Sequence, residues 1–353
     1  MNKILELVCH ILNQAYKKKL TDGELFDLFS QHKCAGLLYE LSCPKEKQQE
    51  IAFYKMLNRN IIYVRYQSCA SIFTQLEKQK IPYAVIKGAV LSLSLYGNAF
   101  VRRSGDIDLL ICRNDADRIK QLLLSEGFIQ GRITEQGIVP FSRYELLYYT
   151  AQTHQLAPFI RKTNNPLCPY VNVDVNFDLL WGEANRSLTM DFVLSKTELV
   201  SICNVTVRKL KTEMEFISLC LHHYKDMNSL YLLYKGKLKL GLFCDLYAYL
   251  SNAAPDPKHL AELCDTLSVS LYVKKCISDT EKVFGKNTLT QRYLQYLHCP
   301  NLPDTYGLAK TEIHPWPFAL PERLFVDIRS YFDQTLSLEE KEKIKLNNTV
   351  MML

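Results

Sequence analysis

Residues 81–112 read IPYAVIKGAVLSLSLYGNAFVRRSGDIDLLIC, and the fold is decided in this stretch. Two short apolar runs, 83–86 and 107–112, have the composition of buried strands. Residues 89–96 between them are rich in Leu and Ala at helical spacing. The Lys87-Gly88 pair lies where the first run ends and the helical segment begins. The pattern therefore predicts a strand–helix–strand unit with a tight turn before its helix.

Two aspartates flank Ile107 at the start of the second strand. Because side chains alternate along a strand, Asp106 and Asp108 point to the same face, while Ile107 points into a core. Two adjacent carboxylates repel each other, and a divalent cation such as Mg²⁺, which prefers hard oxygen ligands, is the usual remedy. Arg102 and Arg103 lie just upstream and could neutralise the pair instead. Both interpretations remain open from these residues alone.

The Lys-Gly turn one helix earlier adds a second chemical feature. The N-terminus of a helix presents unpaired backbone N–H groups to an anion, and a lysine beside it adds positive charge. Lys87 and Gly88 therefore suit a phosphate group. Together with the aspartates they indicate a site for a metal-bound phosphate ester.

A third acidic position lies farther along the chain, in the run YVNVDVNFDLL at residues 170–180. Its strict alternation of apolar and polar residues predicts a half-buried strand. Asp174 and Asp178 both belong to the polar face. A solvated strand face accounts for them equally well, so the alternation alone assigns neither of them a role.

The stretch resembles the signature of the uncharacterised bacterial nucleotidyltransferases, a family of the DNA polymerase β-like superfamily. The residues that carry the resemblance are Lys87, Gly88, Tyr96, Arg102, Gly105, Asp106 and Asp108. The resemblance implies an α+β fold with a polymerase β-like nucleotidyltransferase core, in which a mixed sheet has helices on one side. The chain departs from the superfamily at Gly88-Ala89, where Gly-Ser or Gly-Gly is common, and in its longer spacer to Asp106.

The resemblance also implies a site. Asp106, Asp108 and Asp174 are the expected catalytic residues and metal ligands, because residues 173–177 are similar to the family's Val-Asp-Leu-His-Trp run. Asn176 and Phe177 replace its His and Trp, and Asp178 is the competing choice for the third carboxylate. Lys87, Gly88, Arg102 and Arg103 are the expected nucleotide-binding residues.

The implied activity is a two-metal transfer of a nucleoside monophosphate from a triphosphate such as ATP to an acceptor hydroxyl, with release of pyrophosphate. Mg²⁺ is the expected metal, with Mn²⁺ as a substitute. The acceptor is open between a small molecule, a peptide, a protein and RNA; neither DNA nor a membrane is expected as a partner. An RNA- or protein-modifying toxin-like transferase is one rival. A non-catalytic antitoxin-like or regulatory binding protein on the same fold is another.

Composition agrees with an ordinary globular protein of 353 residues and a net charge of +6, which by itself does not predict nucleic-acid binding. None of the 12 cysteines forms a CxxC pair, which favours reduced thiols in a cytoplasmic protein. The first residues predict an amphipathic helix rather than a signal peptide, and no stretch approaches the ~20 apolar residues of a membrane span.

Three regions are expected: an N-terminal helical region at 1–80, the nucleotidyltransferase core at 81–210 and a C-terminal helical domain at 211–353. Within the last, His222-His223 predicts one solvent-facing or capping histidine and one that lines a cleft, rather than a metal site. The basic and aromatic residues at 231–239 are typical of either a nucleic-acid contact or packed tyrosines beside solvated lysines.

Overall fold

The computed structural model describes residues 2–38, 48–182, 184, 186–236, 238–308 and 312–350. The helices are α1 (Asn2–Ala15), α2 (Asp22–Gln31), α3 (Ala35–Leu38), α4 (Gln48–Lys78), α5 (Gly88–Tyr96), α6 (Ala116–Ser125), α7 (Arg143–Gln152), α8 (Met190–Ser195), α9 (Thr212–Asn228), α10 (Leu230–Tyr234), α11 (Leu240–Ala248), α12 (Pro257–Thr266), α13 (Ser270–Phe284), α14 (Thr288–Leu294), α15 (Leu320–Arg323), α16 (Ile328–Thr335) and α17 (Leu338–Val350). The strands are β1 (Tyr83–Ile86), β2 (Ile107–Ile111), β3 (Ile129–Thr134), β4 (Gly137–Pro140), β5 (Phe159–Lys162), β6 (Tyr170–Asn176), β7 (Thr197–Ile202), β8 (Val205–Leu210), β9 (Thr305–Tyr306) and β10 (His314–Pro315).

The described residues form two compact units. One comprises Met56–Leu93, Asn98–Glu215 and Leu346–Leu353, and it contains the large sheet. The other comprises Met1–Lys55, Ser94–Gly97 and Phe216–Lys345, and it is mainly helical, with a two-stranded sheet of β9 and β10. The three-region division at residues 80 and 210 stays a prediction.

An eight-stranded mixed sheet organises the first of these units, in the order β4-β3-β5-β6-β2-β1-β8-β7. At its centre β1 pairs antiparallel with β2, and β2 pairs in parallel with β6. The predicted α+β class, with a mixed sheet and N- and C-terminal helical regions, is confirmed. Because β2 and β6 run in the same direction, polar residues at equal register on the two strands lie side by side.

The core of this unit lies between the sheet and α4. The alternating apolar residues of β2 and β6 pack in one cluster with one face of α4; the cluster includes Ile107, Leu109, Ile111, Val171, Val173, Val175, Ile62, Tyr66, Phe73 and Leu76. Burying each large apolar side chain contributes about 1.5–3 kcal/mol. The polar residues of β2 and β6 are thereby directed to the opposite face of the sheet.

Further pairing extends the sheet on both sides of its centre. The amide of Leu156, just before β5, donates to the carbonyl of Val175 and continues the pairing with β6. β8 is the second arm of a hairpin with β7. In the described part of the chain, helices lack the combination of length and apolar character that crossing a membrane requires.

Candidate active site

The two strands that carry the predicted carboxylates are neighbours in the sheet. Asp108 of β2 is in register with Asp174 of β6, and Ile107 with Val173. Adjacent strands lie about 4.8 Å apart, so the two aspartates emerge side by side on the face away from the α4 core. Asp106 lies just before β2, in the bend that leads into the strand. The pairing brings Asp108 and Asp174 together from positions 66 residues apart.

Asp108 is only 8% exposed, and two side chains already contact it. The ammonium of Lys87 donates to its Oδ1 at 2.8 Å, and the amide of Asn176 donates to the same oxygen at 3.5 Å. Asn176 occupies the position of the family's histidine, so it contributes a neutral donor where a ring nitrogen was expected. The ion pair places Lys87 next to the carboxylates, as the sequence pattern predicted.

The Lys87-Gly88 turn has an unusual backbone. Lys87 has φ +60° and Gly88 has φ +48°, both left-handed. This conformation costs a non-glycine residue roughly 1–2 kcal/mol, and such strain is concentrated at functional sites. A Cβ on residue 88 would lie 3.0 Å from Oγ of Ser104, so glycine also allows the loop before Asp106 to approach closely. The carbonyl of Lys87 accepts from the amide of Leu91 and starts α5.

A narrow cleft of about 10 Å³ joins these features. Lys87, Gly88, Asp106 and Asp108 all line it. Its lining, as far as the chain is described, includes neither Arg102 nor Arg103, and Asp174 adjoins it only through its pairing with Asp108. The sequence therefore predicted the lysine, the glycine and the aspartate pair of the cleft, whereas the arginine positions stay predictions.

Arg65 of α4 lines the same cleft and was not predicted. Its Nη1 donates to the carbonyl of Ser104, two residues before Asp106, while its buried Nε has no hydrogen-bond partner. Burial lowers the pKa of Arg65 from its ordinary value, which the nearby Asp106 partly opposes. The sequence feature that could have identified Arg65 is its place on the same face of α4 as the apolar, buried residues Ile62 and Tyr66.

Tyr149 of α7 is a second residue that the sequence did not single out. It is fully buried, and its hydroxyl has no hydrogen-bond partner. Burial raises the pKa of the Tyr149 phenol, and the negative charge of Asp174 raises it further.

Asp178, the competing choice for the third carboxylate, has a different environment. It is 7% exposed, and its two oxygens accept from the amides of Leu180 and Leu188, each at 2.9 Å. The side chain therefore closes the loop after β6. Both of its oxygens accept backbone hydrogen bonds, and the choice between Asp174 and Asp178 as the third carboxylate stays a prediction.

The histidine pair and the basic-aromatic segment have structural contacts. His222 lies 3.6 Å from Asp226, whereas His223 is buried edge-to-face against Phe243, where burial lowers its pKa to about 3. The hydroxyl of Tyr234 donates to Asp333 at 3.0 Å. Lys237 lies outside the described residues.

The donor set on the sheet fits a hard divalent cation. Asp108 and Asp174 are adjacent, Asp106 lines the same cleft as Asp108, and carboxylate oxygens are what Mg²⁺ prefers. A further group with metal-ligand chemistry, Glu312, His314 and Glu340, lies in the mainly helical unit with its ligand atoms within 4.8 Å of one another. His314 already contacts Glu340 there at 2.9 Å.

Comparison with known proteins supplies the family. One solved structure, an antigenic nucleotidyltransferase-like protein from Paracoccidioides brasiliensis, is 15% identical with a TM-score of 0.28, over 62% of this chain and 92% of that one. No curated protein matches the chain. The family model described as "Uncharacterised nucleotidyltransferase" matches residues 18–285, which include the strand pair, the Lys-Gly turn and the cleft. The chain belongs to this family of uncharacterised nucleotidyltransferases.

Proposed function

We propose that the protein transfers a nucleoside monophosphate from a nucleoside triphosphate to a hydroxyl-bearing acceptor, with Mg²⁺ as the cofactor and Mn²⁺ as a substitute. The observation that carries the proposal is the register of Asp108 beside Asp174, with Lys87 bonded to Asp108. Two carboxylates on neighbouring parallel strands and a third just before one of them, beside a lysine and a helix N-terminus, combine metal ligands with phosphate ligands. Membership of a nucleotidyltransferase family supports the same reaction class.

In this reaction the acceptor oxygen forms a bond to the α-phosphorus, the bond from that phosphorus to the bridging oxygen breaks, and pyrophosphate leaves. Asp106 and Asp108 would hold two Mg²⁺ ions, with Asp174 as a further ligand of the catalytic one; when bound, the ions would lower the pKa of the attacking hydroxyl and neutralise phosphate charge. Asp174 orients the hydroxyl and accepts its proton. Such reactions depend mainly on positioning and charge stabilisation.

The cationic side chains have a separate task. Lys87 and the backbone at Gly88 are placed to bind the β- and γ-phosphates, since both line the cleft that Asp106 and Asp108 share. Arg102 or Arg103 adds a bidentate donor from the loop before Asp106. The Lys87–Asp108 ion pair implies that Lys87 exchanges its carboxylate partner for phosphate when the substrate binds.

The same proposal includes a reducing, cytoplasmic location and ATP as the first triphosphate to test. The described cysteines, eleven in number, are free thiols. Free thiols buried in apolar surroundings persist where the medium is reducing. The reaction can be tested before the preferred base of the triphosphate and the identity of the acceptor are known.

The test is consumption of each labelled NTP in the presence of a cell extract and Mg²⁺, followed by identification of the labelled product. Wild-type protein should release pyrophosphate and label an acceptor, whereas Asp106→Ala and Asp108→Ala should do neither while they keep the wild-type circular dichroism spectrum. Full activity in either variant would remove the metal assignment. Label on RNA, protein, peptide or a small molecule identifies the acceptor class.

A further inference from the structure

A second cavity, of about 410 Å³, lies in the unit that contains the large sheet. Its walls come from α4, from the loop before Asp106 and from the β7–β8 turn. The lining residues are Met56, Arg59, Asn60, Tyr63, Phe100, Cys203 and Asn204. The proposed transfer reaction uses none of them, and the volume is within the range of small-molecule sites.

Hydrogen bonds hold all three walls in place. Gln67 of α4 donates from Nε2 to the carbonyl of Cys203 at 2.8 Å, so the hairpin turn is tied to the helix. Asn58 of α4 donates to the carbonyls of Phe100 and Arg102, which ties the loop to the same helix. The turn itself has two successive left-handed residues, with φ +54° and +63° at positions 203 and 204. The cavity is therefore a fixed feature of the fold.

The side chains in the cavity combine aromatic surface and positive charge. Tyr63 is 51% exposed, and the guanidinium of Arg59 lies 5.4 Å from the ring centre of Phe100. Among the described residues that line the cavity, none is acidic, so none would repel an anion.

We propose that this cavity binds a nucleotide unit. A planar base suits the exposed ring of Tyr63, and a phosphate suits Arg59. Stacking on aromatic side chains and pairing of arginine with phosphate are the usual means by which proteins hold single nucleotides. A purely apolar ligand would make no use of the positive charge of Arg59.

The cavity adjoins the parts of the chain that form the cleft. Phe100 is in the loop that leads to Asp106, and Ile62, Arg65 and Tyr66 of the same α4 segment line the cleft. We assign the bound nucleotide unit to the acceptor substrate of the transfer, and this assignment rests on the proposed transferase function. A free mononucleotide and the end of a single RNA strand present the same chemistry.

The experiment measures binding without triphosphate and with EDTA, so that it does not depend on catalysis. Full-length wild-type protein is titrated with AMP by calorimetry and with a fluorescein-labelled hexa-adenylate RNA by anisotropy. We expect Tyr63→Ala to weaken the binding of both ligands at least tenfold. Tyr144→Ala is the matched control, because Tyr144 is 65% exposed on α7 and outside the cavity, and it should stay within twofold.

Three further comparisons complete the test. Lys87→Ala, in the cleft, should leave AMP binding within twofold; strong loss there with none in Tyr63→Ala would place the ligand in the cleft and overturn the proposal. Equal binding by Tyr63→Ala and Tyr144→Ala, or no binding of either ligand by wild type at millimolar concentration, would also overturn it.

The two ligands separate the two possible sources of the nucleotide unit. RNA that binds tenfold more tightly than AMP identifies the RNA strand as the source, and equal affinity identifies the free mononucleotide. If AMP or RNA binding depends on Tyr63 but the protein does not turn over NTP, the nucleotide-binding proposal for the cavity stands and only the transferase proposal is refuted.

Discussion

Asp174 and Asp178 show how similar residues on one polar strand pattern acquire different roles. The Asp174 carboxylate lies beside Asp108, whereas both Asp178 oxygens accept backbone hydrogen bonds. We expect Asp174→Asn to reduce NTP turnover at least a hundredfold with little change in stability. Asp178→Asn should reduce the free energy of unfolding by about 1–3 kcal/mol, because an amide cannot accept through both of its polar atoms. Pyrophosphate release and urea unfolding of both variants check this.

The two variants are controls for each other. Each removes one negative charge from the same face of the sequence pattern, so a general charge effect would change both in the same way. A large loss of turnover in Asp178→Asn with a wild-type unfolding curve, and normal turnover in Asp174→Asn, would exchange the two assignments.

Lys87 is expected to weaken the binding of the metal ion and to strengthen the binding of the triphosphate. Its ammonium is bonded to Asp108 Oδ1, an oxygen that the proposed cation would also use. Lys87→Ala should therefore bind Mn²⁺ about tenfold more tightly without nucleotide, a change of ~1.4 kcal/mol. The same variant should bind NTP more weakly by at least ~1.5 kcal/mol, because a charged hydrogen bond to phosphate is lost.

Mn²⁺ binding by electron paramagnetic resonance and NTP binding by calorimetry separate the two effects. Lys162→Ala is a suitable control, since Lys162 is exposed at the end of β5. If Lys87→Ala weakens Mn²⁺ binding, or leaves NTP binding unchanged, Lys87 has no place in the proposed exchange.

At the scale of elements, α7 is the helix whose start is most clearly determined by local hydrogen bonds. Ser142 and Glu145 form a reciprocal capping box, in which Ser142 Oγ accepts from the Glu145 amide and Glu145 accepts from the Ser142 amide at 2.7 Å. Ser142→Ala should lower the free energy of unfolding by about 1 kcal/mol. Thr150→Ala, in the exposed last turn of the same helix, should be neutral or slightly stabilising because alanine has the higher helix propensity.

Urea unfolding of the two variants is the measurement, and a smaller loss for Ser142→Ala than for Thr150→Ala would contradict the capping account. Because α7 carries Tyr149, turnover should also fall in Ser142→Ala if the position of Tyr149 matters to the reaction. Normal turnover in Ser142→Ala would mean that the capping box contributes to stability but not to the reaction.

The elements that could be predicted from sequence are those whose burial pattern is regular. β1 is buried at every residue and β6 alternates without exception, so their composition alone indicated strands. In contrast, β3 and β4 are largely exposed or half-buried, and α7 has an exposed Tyr144 and Leu147, so hydrophobic periodicity is weak there. Arg65 and Tyr149 escaped prediction for a related reason, since their importance comes from neighbours distant in sequence.

At the scale of the whole molecule, acid should destabilise the protein through histidines that are buried in the neutral form. His32 is 6% exposed and its Nδ1 accepts from the amide of Leu240; burial lowers its pKa to about 4. His223 is fully buried with a pKa lowered to about 3. With ordinary values near 6.5, the unfolded chain binds these protons first, so stability is complete above pH 6.5 and is lost as pH falls toward the folded-state values.

Each of these histidines should contribute about 2 kcal/mol to the loss of unfolding free energy between pH 7 and pH 5, at 1.36 kcal/mol per unit of pKa difference. His223→Phe keeps an aromatic ring against Phe243 but cannot bind a proton, so its loss over this interval should be smaller than that of wild type by about 2 kcal/mol. His298→Gln, at an exposed position, should lose as much as wild type. The measurement is urea unfolding at the two pH values. Equal losses of unfolding free energy in wild type and His223→Phe would mean that His223 binds its proton as readily in the folded protein as in the unfolded chain. Burial of His223 would then not contribute to the acid destabilisation.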